Sequence, residues 1–240
     1  MAHGMPDWGE YAPLNVGYKS LDNNELAARL GSSTILNREG NIIFEEKFTS
    51  SMFRWAENKP SGTQGIRAQN IGFISNYSYQ FTILNDYEIG PSISAVIPFN
   101  GISTTGLTGI FSLDDHKTEI YASLIIRYSG YKNEFCLLYD TINSKICIKD
   151  NNNSWKTILT NIIVDIGSKN WFTMKLVGNP ETGKYKKFQF NDMTVDLSNI
   201  SCYRYSEQGA NMLKIVFSTA TPLKSYSKCY LDYVVVTQNE

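Results

Sequence analysis

From residue 41 to residue 240 the sequence consists of short segments in which apolar and polar side chains alternate. In residues 119–128, every second position from Ile120 to Ile126 is apolar. Successive side chains of a β-strand point to opposite faces, so this alternation predicts strands with one buried face and one solvated face. The segments predicted as strands are 42–48, 79–84, 92–99, 109–113, 119–128, 134–139, 145–149, 155–159, 171–177, 184–190, 194–197, 212–218 and 229–237.

The segments between these strands carry turn signals. Residues that favour tight turns, mainly Asn, Asp, Gly, Pro and Ser, cluster at 140–144, 151–153, 179–183 and 191–192. About a dozen short strands joined by such turns predict an all-β fold, either an antiparallel sandwich or a barrel. Residues 230–236 are apolar on both faces, which predicts a covered, central strand.

The N-terminal segment differs from the rest of the chain. Residues 1–20 combine scattered aromatic side chains with Pro and Gly, and they are predicted to form an extended arm. A helix of two turns, with Asp22 as N-cap and Gly31 as C-cap, is predicted to follow. The predicted organisation is therefore an N-terminal arm with a short helix, 1–40, and one β-domain, 41–240.

The predicted arm carries apolar side chains that it cannot bury by itself. These side chains are Trp8, Tyr11, Leu14, Val16 and Tyr18. We expect them to be buried by the chain's own β-domain or by a neighbouring subunit. The second arrangement predicts a homo-oligomer, or contacts between neighbours in a particle, formed through this arm.

Charge and hydropathy bear on partners and location. The 22 Lys and Arg balance 23 Asp and Glu, and because nucleic-acid affinity depends on many basic contacts with phosphates, we expect no nucleic-acid partner. No apolar run reaches the roughly 20 residues that cross a bilayer, so no membrane span is expected. The first residues lack the basic and apolar regions of a secretory signal. This predicts a protein made in the cytoplasm without a signal peptide and placed there or on a particle or cell surface, unless a leader has been removed.

The residues of nucleophilic catalysis are sparse. The chain has two histidines, His3 in the arm and His116 in a segment Asp-Asp-His-Lys that is predicted to be a solvated turn. The Gly-x-Ser-x-Gly and His-Glu-x-x-His motifs and the glycine-rich phosphate loops are absent from the sequence. We therefore expect no catalytic residues of the nucleophile–histidine type.

Three segments carry a family resemblance: 42–48 with Trp55, 171–197 and 230–236. In this order they resemble the first strand, the three-stranded meander and the final strand of the concanavalin A-like lectin and glucanase superfamily. The resemblance covers most of the β-domain and implies an antiparallel β-sandwich of the jelly-roll type, in which the first and last strands pair. Residues 25–31 and 37–40 also resemble the start of an uncharacterised microbial family of such sandwiches, which implies no activity.

The superfamily contains glucanases, so the resemblance raises glycoside hydrolysis as an alternative. That chemistry needs two carboxyl groups flanking one glycosidic bond. The Glu-x-Asp-x-x-Glu signature of the glucanases is absent, and the nearest pairs are Glu45–Glu46 and Asp114–Asp115. Adjacent residues of a strand point to opposite faces, so neither pair can flank the same bond.

Carbohydrate binding without catalysis needs planar aromatic rings and polar groups for the sugar hydroxyls. The predicted ligand-binding residues, all assigned to outer strand faces, are Trp171, Tyr185, Gln189, Tyr121 and Arg127. Such side chains also cover the outer faces of sheets that bind nothing. We predict a non-enzymatic binding or structural module that recognises glycans or forms part of an assembled, virion-like particle. A secreted carbohydrate-binding domain and a glycoside hydrolase are the alternatives.

Two carboxylates stand at positions where burial of a bare charge is costly. Glu46 shares a strand face with apolar residues, and Asp232 lies within the apolar final strand. If the first and last strands are neighbours, these side chains can meet around a structural Ca²⁺ or accept hydrogen bonds from loop backbone. Glu46 and Asp232 are therefore the predicted metal ligands, with no cofactor as the alternative.

The four cysteines carry no zinc-binding spacing. With a hairpin turn at 140–143, Cys136 would lie directly opposite Cys147. We predict adjacent but free thiols, in keeping with a reducing compartment.

Overall fold

The structure is a computed structural model that describes residues 40–52, 54–84, 88–97 and 103–240. These residues form strands, turns and bends without a helix, and none of them belongs to a helix long and apolar enough to cross a membrane. The strands are β1 (Asn41–Glu46), β2 (Ala56–Asn58), β3 (Thr63–Gln69), β4 (Tyr77–Ile83), β5 (Ile89–Ile97), β6 (Thr105–Leu113), β7 (Glu119–Tyr128), β8 (Tyr131–Asp140), β9 (Lys145–Lys149), β10 (Trp155–Thr160), β11 (Trp171–Asn179), β12 (Lys184–Phe190), β13 (Met193–Asp196), β14 (Tyr203–Ser206), β15 (Met212–Ala220) and β16 (Ser227–Gln238).

The strands form two antiparallel sheets that pack face to face. Sheet A has the order β13-β12-β11-β6-β16-β4-β3, and β1 also pairs with β16. Sheet B has the order β10-β9-β8-β7-β15-β5-β2, and β14 also pairs with β8. The predicted antiparallel β-sandwich of jelly-roll type is confirmed, as is the pairing of the first and last strands of the β-domain.

The core lies between the sheets and takes every second side chain of regular strands such as β7 and β15. In β7, Ile120, Leu124 and Ile126 are at most 1% exposed, as the alternation predicts. Aromatic rings from both sheets fill the centre. Within sheet A the ring of Phe172 stacks on Phe111 and Phe190 with centroids 5.9 and 5.6 Å apart, and Phe111 meets Phe217 of sheet B edge to face with centroids 5.8 Å apart. Burial of these apolar faces on both sheets is the main source of stability for a sandwich of this kind.

A β-bulge in β12 changes which side chains face the core. Val177 of β11 pairs with Lys187 and Gly178 pairs with Tyr185, so Lys186 is an extra residue in β12. The bulge turns Tyr185 inward, where it is 1% exposed. The prediction that Tyr185 lies on the outer face is therefore wrong, because strict alternation takes no account of an inserted residue.

The hairpin between β8 and β9 has a different register from the predicted one. Asp140 pairs with Lys145, and Cys147 lies opposite Leu138. The predicted opposition of Cys136 and Cys147 is therefore wrong. All four cysteines are nevertheless buried and free, in agreement with the predicted thiols.

The side chain of Asp140 explains this register. Its carboxylate accepts hydrogen bonds from the backbone N–H of Asn143 at 3.0 Å and from Asn143 Nδ2 at 2.8 Å. This side-chain bonding fixes a turn that starts after Asp140 rather than at it.

Three strands, β2, β3 and β14, are not predicted by the alternation. The sequence of β3, Thr-Gln-Gly-Ile-Arg-Ala-Gln, has two apolar side chains, Ile66 and Ala68, and the larger one, Ile66, is 49% exposed. The strand therefore shows no alternation of apolar and polar residues. The predicted arm and helix lie outside the described residues, so the N-terminal unit stays a prediction.

Candidate functional site

The structure places the predicted ligand-binding residues in three different parts of the molecule. Trp171 and Gln189 belong to sheet A, Tyr121 and Arg127 point outward from β7 in sheet B, and Tyr185 is in the core. The outer sides of the two sheets face away from each other, so these residues do not form one site.

The outer face of sheet A is largely closed to solvent. Outward side chains of its central strands, such as Thr108, Lys175 and Val235, are at most 5% exposed. Lys175 Nζ forms an ion pair with Glu240 Oε1 at 2.7 Å, and the side chain of Glu240 is fully buried. A glycan chain therefore has no open surface along the middle of this sheet.

The outer face of sheet B carries an open groove of about 370 Å³. Small side chains form its floor, with Ser218 of β15 opposite Ser92 of β5 and Val216 next along β15. Tyr121, opposite Ser218 on the other side, forms one wall, and Asn58 of the edge strand β2 forms part of the other. The groove therefore crosses four strands, a distance of about 14 Å at the usual strand spacing.

Tyr121 is held in place by two neighbours. Its ring meets the ring of Trp155 edge to face with centroids 5.9 Å apart, and Trp155 is 41% exposed. Tyr121 Oη donates a hydrogen bond to Glu119 Oε2 at 2.6 Å. Burial, together with this bond, raises the pKa of Tyr121 well above its usual range, so the phenol stays neutral.

Farther along the same face, five side chains form an ionic cluster. Arg127 Nη1 pairs with Glu207 Oε1 at 2.6 Å, and Lys132 Nζ pairs with Glu134 Oε1 at 3.2 Å and with Glu207 Oε2 at 3.5 Å. Tyr205 Oη donates to Glu134 Oε1 at 3.0 Å. Partial burial disfavours the charge on Lys132, but the bonds with Tyr205 and Glu134 outweigh it and raise the pKa of this lysine.

Arg127 is engaged by its own neighbours in this cluster. The guanidinium also donates from Nε to the backbone oxygen of Ala210 at 2.8 Å. The Nε and Nη1 groups of Arg127 therefore hold the segment after β14 against β7. The guanidinium is fixed by these bonds.

Two lysines on this face have no carboxylate partner in the described part of the chain. Lys149 lies over the ring of Tyr203, with its Nζ 5.7 Å from the centroid. Lys214 lies between Ile125 and Val96 of the neighbouring strands. Neither lysine lines the groove.

Two carboxylates of this face, Glu119 and Asp140, are engaged by neighbouring side chains. Glu119 lies opposite Asp140, but Glu119 accepts the phenol of Tyr121. Burial acts to raise the pKa of Asp140, yet hydrogen bonds from Asn143 and Lys145 bring it below its usual value. A glycosidase acid needs the opposite shift.

The described residues hold no cluster of three or more His, Cys, Asp or Glu side chains placed to bind a metal. His116 is exposed in the turn after β6, where the sequence predicts it. His3 lies outside the described residues.

Sequence reasoning missed the polar groups of the groove. Ser92, Ser218 and Asn58 are small side chains at outward positions, and nothing in their type distinguishes them from other solvated strand residues. The signal for the groove is that small side chains lie opposite one another on paired strands. It can be recognised only when the register of the strands is known.

Both carboxylate oxygens of Glu46 accept hydrogen bonds. Its Oε1 accepts from the backbone N–H groups of Lys47 at 2.9 Å and Phe48 at 2.7 Å, and its Oε2 accepts from Trp55 Nε1 at 3.3 Å. Both carboxylate oxygens are thus used to fix the turn after β1. Among the two predicted alternatives, Glu46 follows the one based on hydrogen bonds.

Asp232 is in a different state. It is the extra residue of a bulge in β16 and is fully buried. Its Oδ2 accepts from the backbone N–H of Ile74 at 2.7 Å, whereas its Oδ1 has no hydrogen-bond partner. Burial raises its pKa to about 6 against the opposing effect of backbone N–H groups at residues 73–75.

The surroundings of Asp232 leave no room for a side chain at position 72. A Cβ at Gly72 would lie 2.0 Å from the backbone oxygen of Ser75, 2.7 Å from that of Tyr77 and 2.8 Å from Asp232 Oδ1. The loop therefore packs against Asp232 only because residue 72 is a glycine. A Ca²⁺ ion ligated by the unpartnered Asp232 Oδ1 would neutralise this carboxylate without Glu46.

Comparison with known proteins gives a fold rather than a family. No family model matches the chain, and no curated protein sequence matches it either. An endo-β-1,4-glucuronan lyase from the fungus Trichoderma reesei is similar with a TM-score of 0.55 at 11% identity, over 82% of this chain and 96% of that chain.

Two further solved structures are similar. Cellulose induced protein Cip1 has a TM-score of 0.52 at 7% identity, over 81% of this chain and 96% of that chain. A sialidase has a TM-score of 0.52 at 9% identity, over 84% of this chain but 19% of its own. The chain therefore shares its jelly-roll β-sandwich fold with these structures.

Proposed function

We propose that this chain is a non-catalytic carbohydrate-binding module that binds a short glycan segment in the groove on the outer face of sheet B. The observation that carries the proposal is the groove itself, with its floor of small side chains beside the Tyr121–Trp155 aromatic pair. It is an open depression of about 370 Å³ in which the aliphatic side chains of Ile89 and Val216 lie beside the polar groups of Ser92, Ser218 and Asn58.

The groove matches the two sides of a sugar ring. The C–H face of a pyranose is apolar and packs on aromatic surface, which Trp155 and Tyr121 offer. The hydroxyls need donors and acceptors, which Ser92, Ser218 and Asn58 supply across the strands.

The assignment as a binding module rests on the state of the carboxylates. Glu119 and Asp140 are both engaged by neighbouring side chains, and the carboxyl pKa that is raised to about 6 belongs to Asp232 in sheet A. A polysaccharide hydrolase would need such a group beside the groove.

The biological setting is a separate part of the proposal. We place the module on an assembled, virion-like particle because residues 1–20 carry aromatic side chains that need an apolar partner. Deletion of residues 1–20 should then reduce the mass measured by light scattering from oligomer to monomer. An unchanged mass would favour the alternative, a secreted carbohydrate-binding domain.

The groove is tested by filling it. Ser218→Tyr adds a large ring to the floor from an outward position, so the core is untouched. We expect the wild type to bind one or more glycans on an array and Ser218→Tyr to lose about tenfold or more in affinity. Gln64→Tyr, at an exposed position of β3 in sheet A, is the matched control and should bind as the wild type does.

Two outcomes would contradict the proposal. One is equal loss of binding in Ser218→Tyr and Gln64→Tyr, which would separate binding from the groove. The other is release of reducing ends from a bound glycan, abolished by Glu119→Gln, which would make the chain a glycoside hydrolase.

A further inference from the structure

A second groove, of about 450 Å³, lies beside sheet A. It is located between the loop 70–76, which joins β3 to β4, and the loop 161–170, which joins β10 to β11. Phe73 from the first loop and Trp171 at the start of β11 line it, and Phe73 is 53% exposed. Its lining shares no residue with the groove on sheet B.

The loop that carries Phe73 is held in a fixed shape. The carboxylate of Asp232 accepts the backbone N–H of Ile74 at 2.7 Å. The backbone N–H of Asn70 donates to the oxygen of Asn76 at 2.7 Å and closes the loop. Ser75 Oγ donates to the backbone oxygen of Lys47 at 2.9 Å. Phe73 is therefore exposed on a preorganised support, which lowers the entropy cost of binding a ligand.

The opposite loop is anchored as well. The backbone N–H of Gly167 donates to the oxygen of Leu113 at 2.6 Å, and Ser112 Oγ donates to the oxygen of Gly167 at 2.8 Å. These bonds attach the loop 161–170 to β6. Both walls of the groove thus exist before any ligand arrives.

The polar groups of the groove are balanced between donors and acceptors. Asn191 Oδ1 accepts the backbone N–H of Thr173 at 2.8 Å, which leaves Asn191 Nδ2 as a donor. Asn170 Nδ2 donates to the backbone oxygen of Ile166 at 2.7 Å, which leaves Asn170 Oδ1 as an acceptor.

Two charged side chains complete this set. Asp165 and Lys169 also line the groove, and neither has an ion pair or hydrogen bond with the described residues. The groove therefore offers two donors and two acceptors with no net charge. Hydroxyl groups both donate and accept, so this set suits a neutral polyol better than an anion.

We propose that this groove is a second carbohydrate site, which takes a terminal sugar ring of a neutral glycan between Phe73 and Trp171. Its volume lies near the lower end of the range of about 300–1,000 Å³ for small-ligand sites, which suits one or two rings rather than a chain. The rings supply the apolar contact, and the asparagine amides with Asp165 and Lys169 bind the hydroxyls.

The tryptophans allow the two grooves to be observed separately. In a Trp155→Phe variant, Trp171 reports on the second groove, and in a Trp171→Phe variant, Trp155 reports on the groove of sheet B. Trp55 is buried, and Trp8 is common to both variants. The probes are the methyl glycosides of glucose, galactose, mannose and N-acetylglucosamine.

We expect at least one methyl glycoside to cause a saturable change of emission in Trp155→Phe. Addition of Phe73→Ala to this variant should weaken binding about tenfold, because it removes one stacking surface without changing the core. In the wild type, the same sugar should shift the NMR signals of the side-chain amides of Asn170 and Asn191. Ser218→Tyr should leave these shifts unchanged.

Three results would overturn the inference. In the first, no methyl glycoside changes the tryptophan emission or the amide NMR signals. In the second, the emission changes only in Trp171→Phe, and in the third, Trp155→Phe with Phe73→Ala binds the sugar as tightly as Trp155→Phe alone. Binding at the second groove with none at the groove of sheet B would leave the inference standing and would remove the proposed function of that sheet. The two claims therefore fail independently.

Discussion

At the scale of single residues, Asp232 and Glu46 show that two buried carboxylates can be stabilised differently. Glu46 has partners for both oxygens, whereas Asp232 Oδ1 is buried without one. An unpaired buried acceptor costs about 1–3 kcal/mol. The sequence signals for the two residues are the same, a carboxylate among apolar neighbours, and the difference comes from loops that approach each strand.

The raised pKa of Asp232 predicts how stability depends on pH. The carboxyl titrates at 3.8 in its ordinary state and at about 6 in the folded protein. Stability contributed by the protonated form is therefore complete below about pH 4 and is lost as the pH rises through 6. Asp232→Asn does not titrate, and its amide nitrogen can donate to the oxygens near Gly72.

We expect the unfolding free energy of Asp232→Asn to rise relative to the wild type by about 2–3 kcal/mol between pH 4 and pH 7. Urea unfolding in the presence of EDTA measures this difference. A difference that is constant across the same range would mean that the carboxyl has no shifted pKa.

Calcium should stabilise the charged form of the same residue, whereas low pH stabilises its protonated form. With Ca²⁺ in hundredfold excess over its Kd, the wild type should gain about 2.7 kcal/mol of stability at neutral pH. Asp232→Asn should gain nothing, because it lacks the carboxylate charge that would bind the ion. Equal thermal shifts in the wild type and Asp232→Asn would exclude this site, and Glu46→Gln tests that Glu46 has no part in it.

At the scale of elements, alternation predicts strands well where a strand pairs regularly and has one buried face. The bounds of β7, β9 and β12 agree with the predicted segments 119–128, 145–149 and 184–190. Within β12, however, the bulge at Lys186 reverses the face of Tyr185. Inserted residues and registers depend on pairing across the sheet, which a single segment does not encode.

In the candidate site, too, alternation predicts the face of a single residue but not the features that depend on register. Tyr121 is on the outer face that alternation assigns to it, because β7 is regular over its whole length. The floor of the groove depends on which small residues meet across β5 and β15, and that depends on register. The sequence therefore predicts single outward residues but not the depression that they form together.

The register of β8 and β9 can be tested by chemistry. Leu138→Cys places a thiol directly opposite Cys147, where opposed Cα atoms of an antiparallel pair are about 4.5–5.5 Å apart. Under mild oxidation we expect a disulfide between these two positions, seen by mass spectrometry of proteolytic peptides. The wild type treated in the same way should keep four free thiols after denaturation. A peptide that links Cys136 to Cys147 would contradict the observed register.

At the scale of the whole molecule, the two sheets present different outer surfaces. The outer face of sheet B carries an open groove, whereas that of sheet A buries an ion pair between Lys175 and Glu240. Thr237 Oγ1 also donates to Glu240 Oε1, so the carboxylate joins β11 to the end of β16. Such a pair is strongly coupled, because either charge alone would be left in a dry environment.

Removal of one charge should therefore cost more than removal of both. We expect Lys175→Met to lower the unfolding free energy by about 3–5 kcal/mol and Lys175→Met with Glu240→Leu to recover much of that loss. Urea unfolding of the two single variants and the double variant measures the coupling. Additive losses would show that the two side chains do not interact in solution.

The period of two along β15 has a consequence for how such a protein can change. Leu213, Ile215 and Phe217 face inward, while Lys214, Val216 and Ser218 face the groove side of sheet B. Neighbouring codons are thus under different constraints, because the inward set must preserve the core and the outward set is free of that requirement. If the groove binds the proposed glycan, mutation of the outward set would change ligand preference while the interior stays as it is, so preference would diverge between related sequences faster than architecture does.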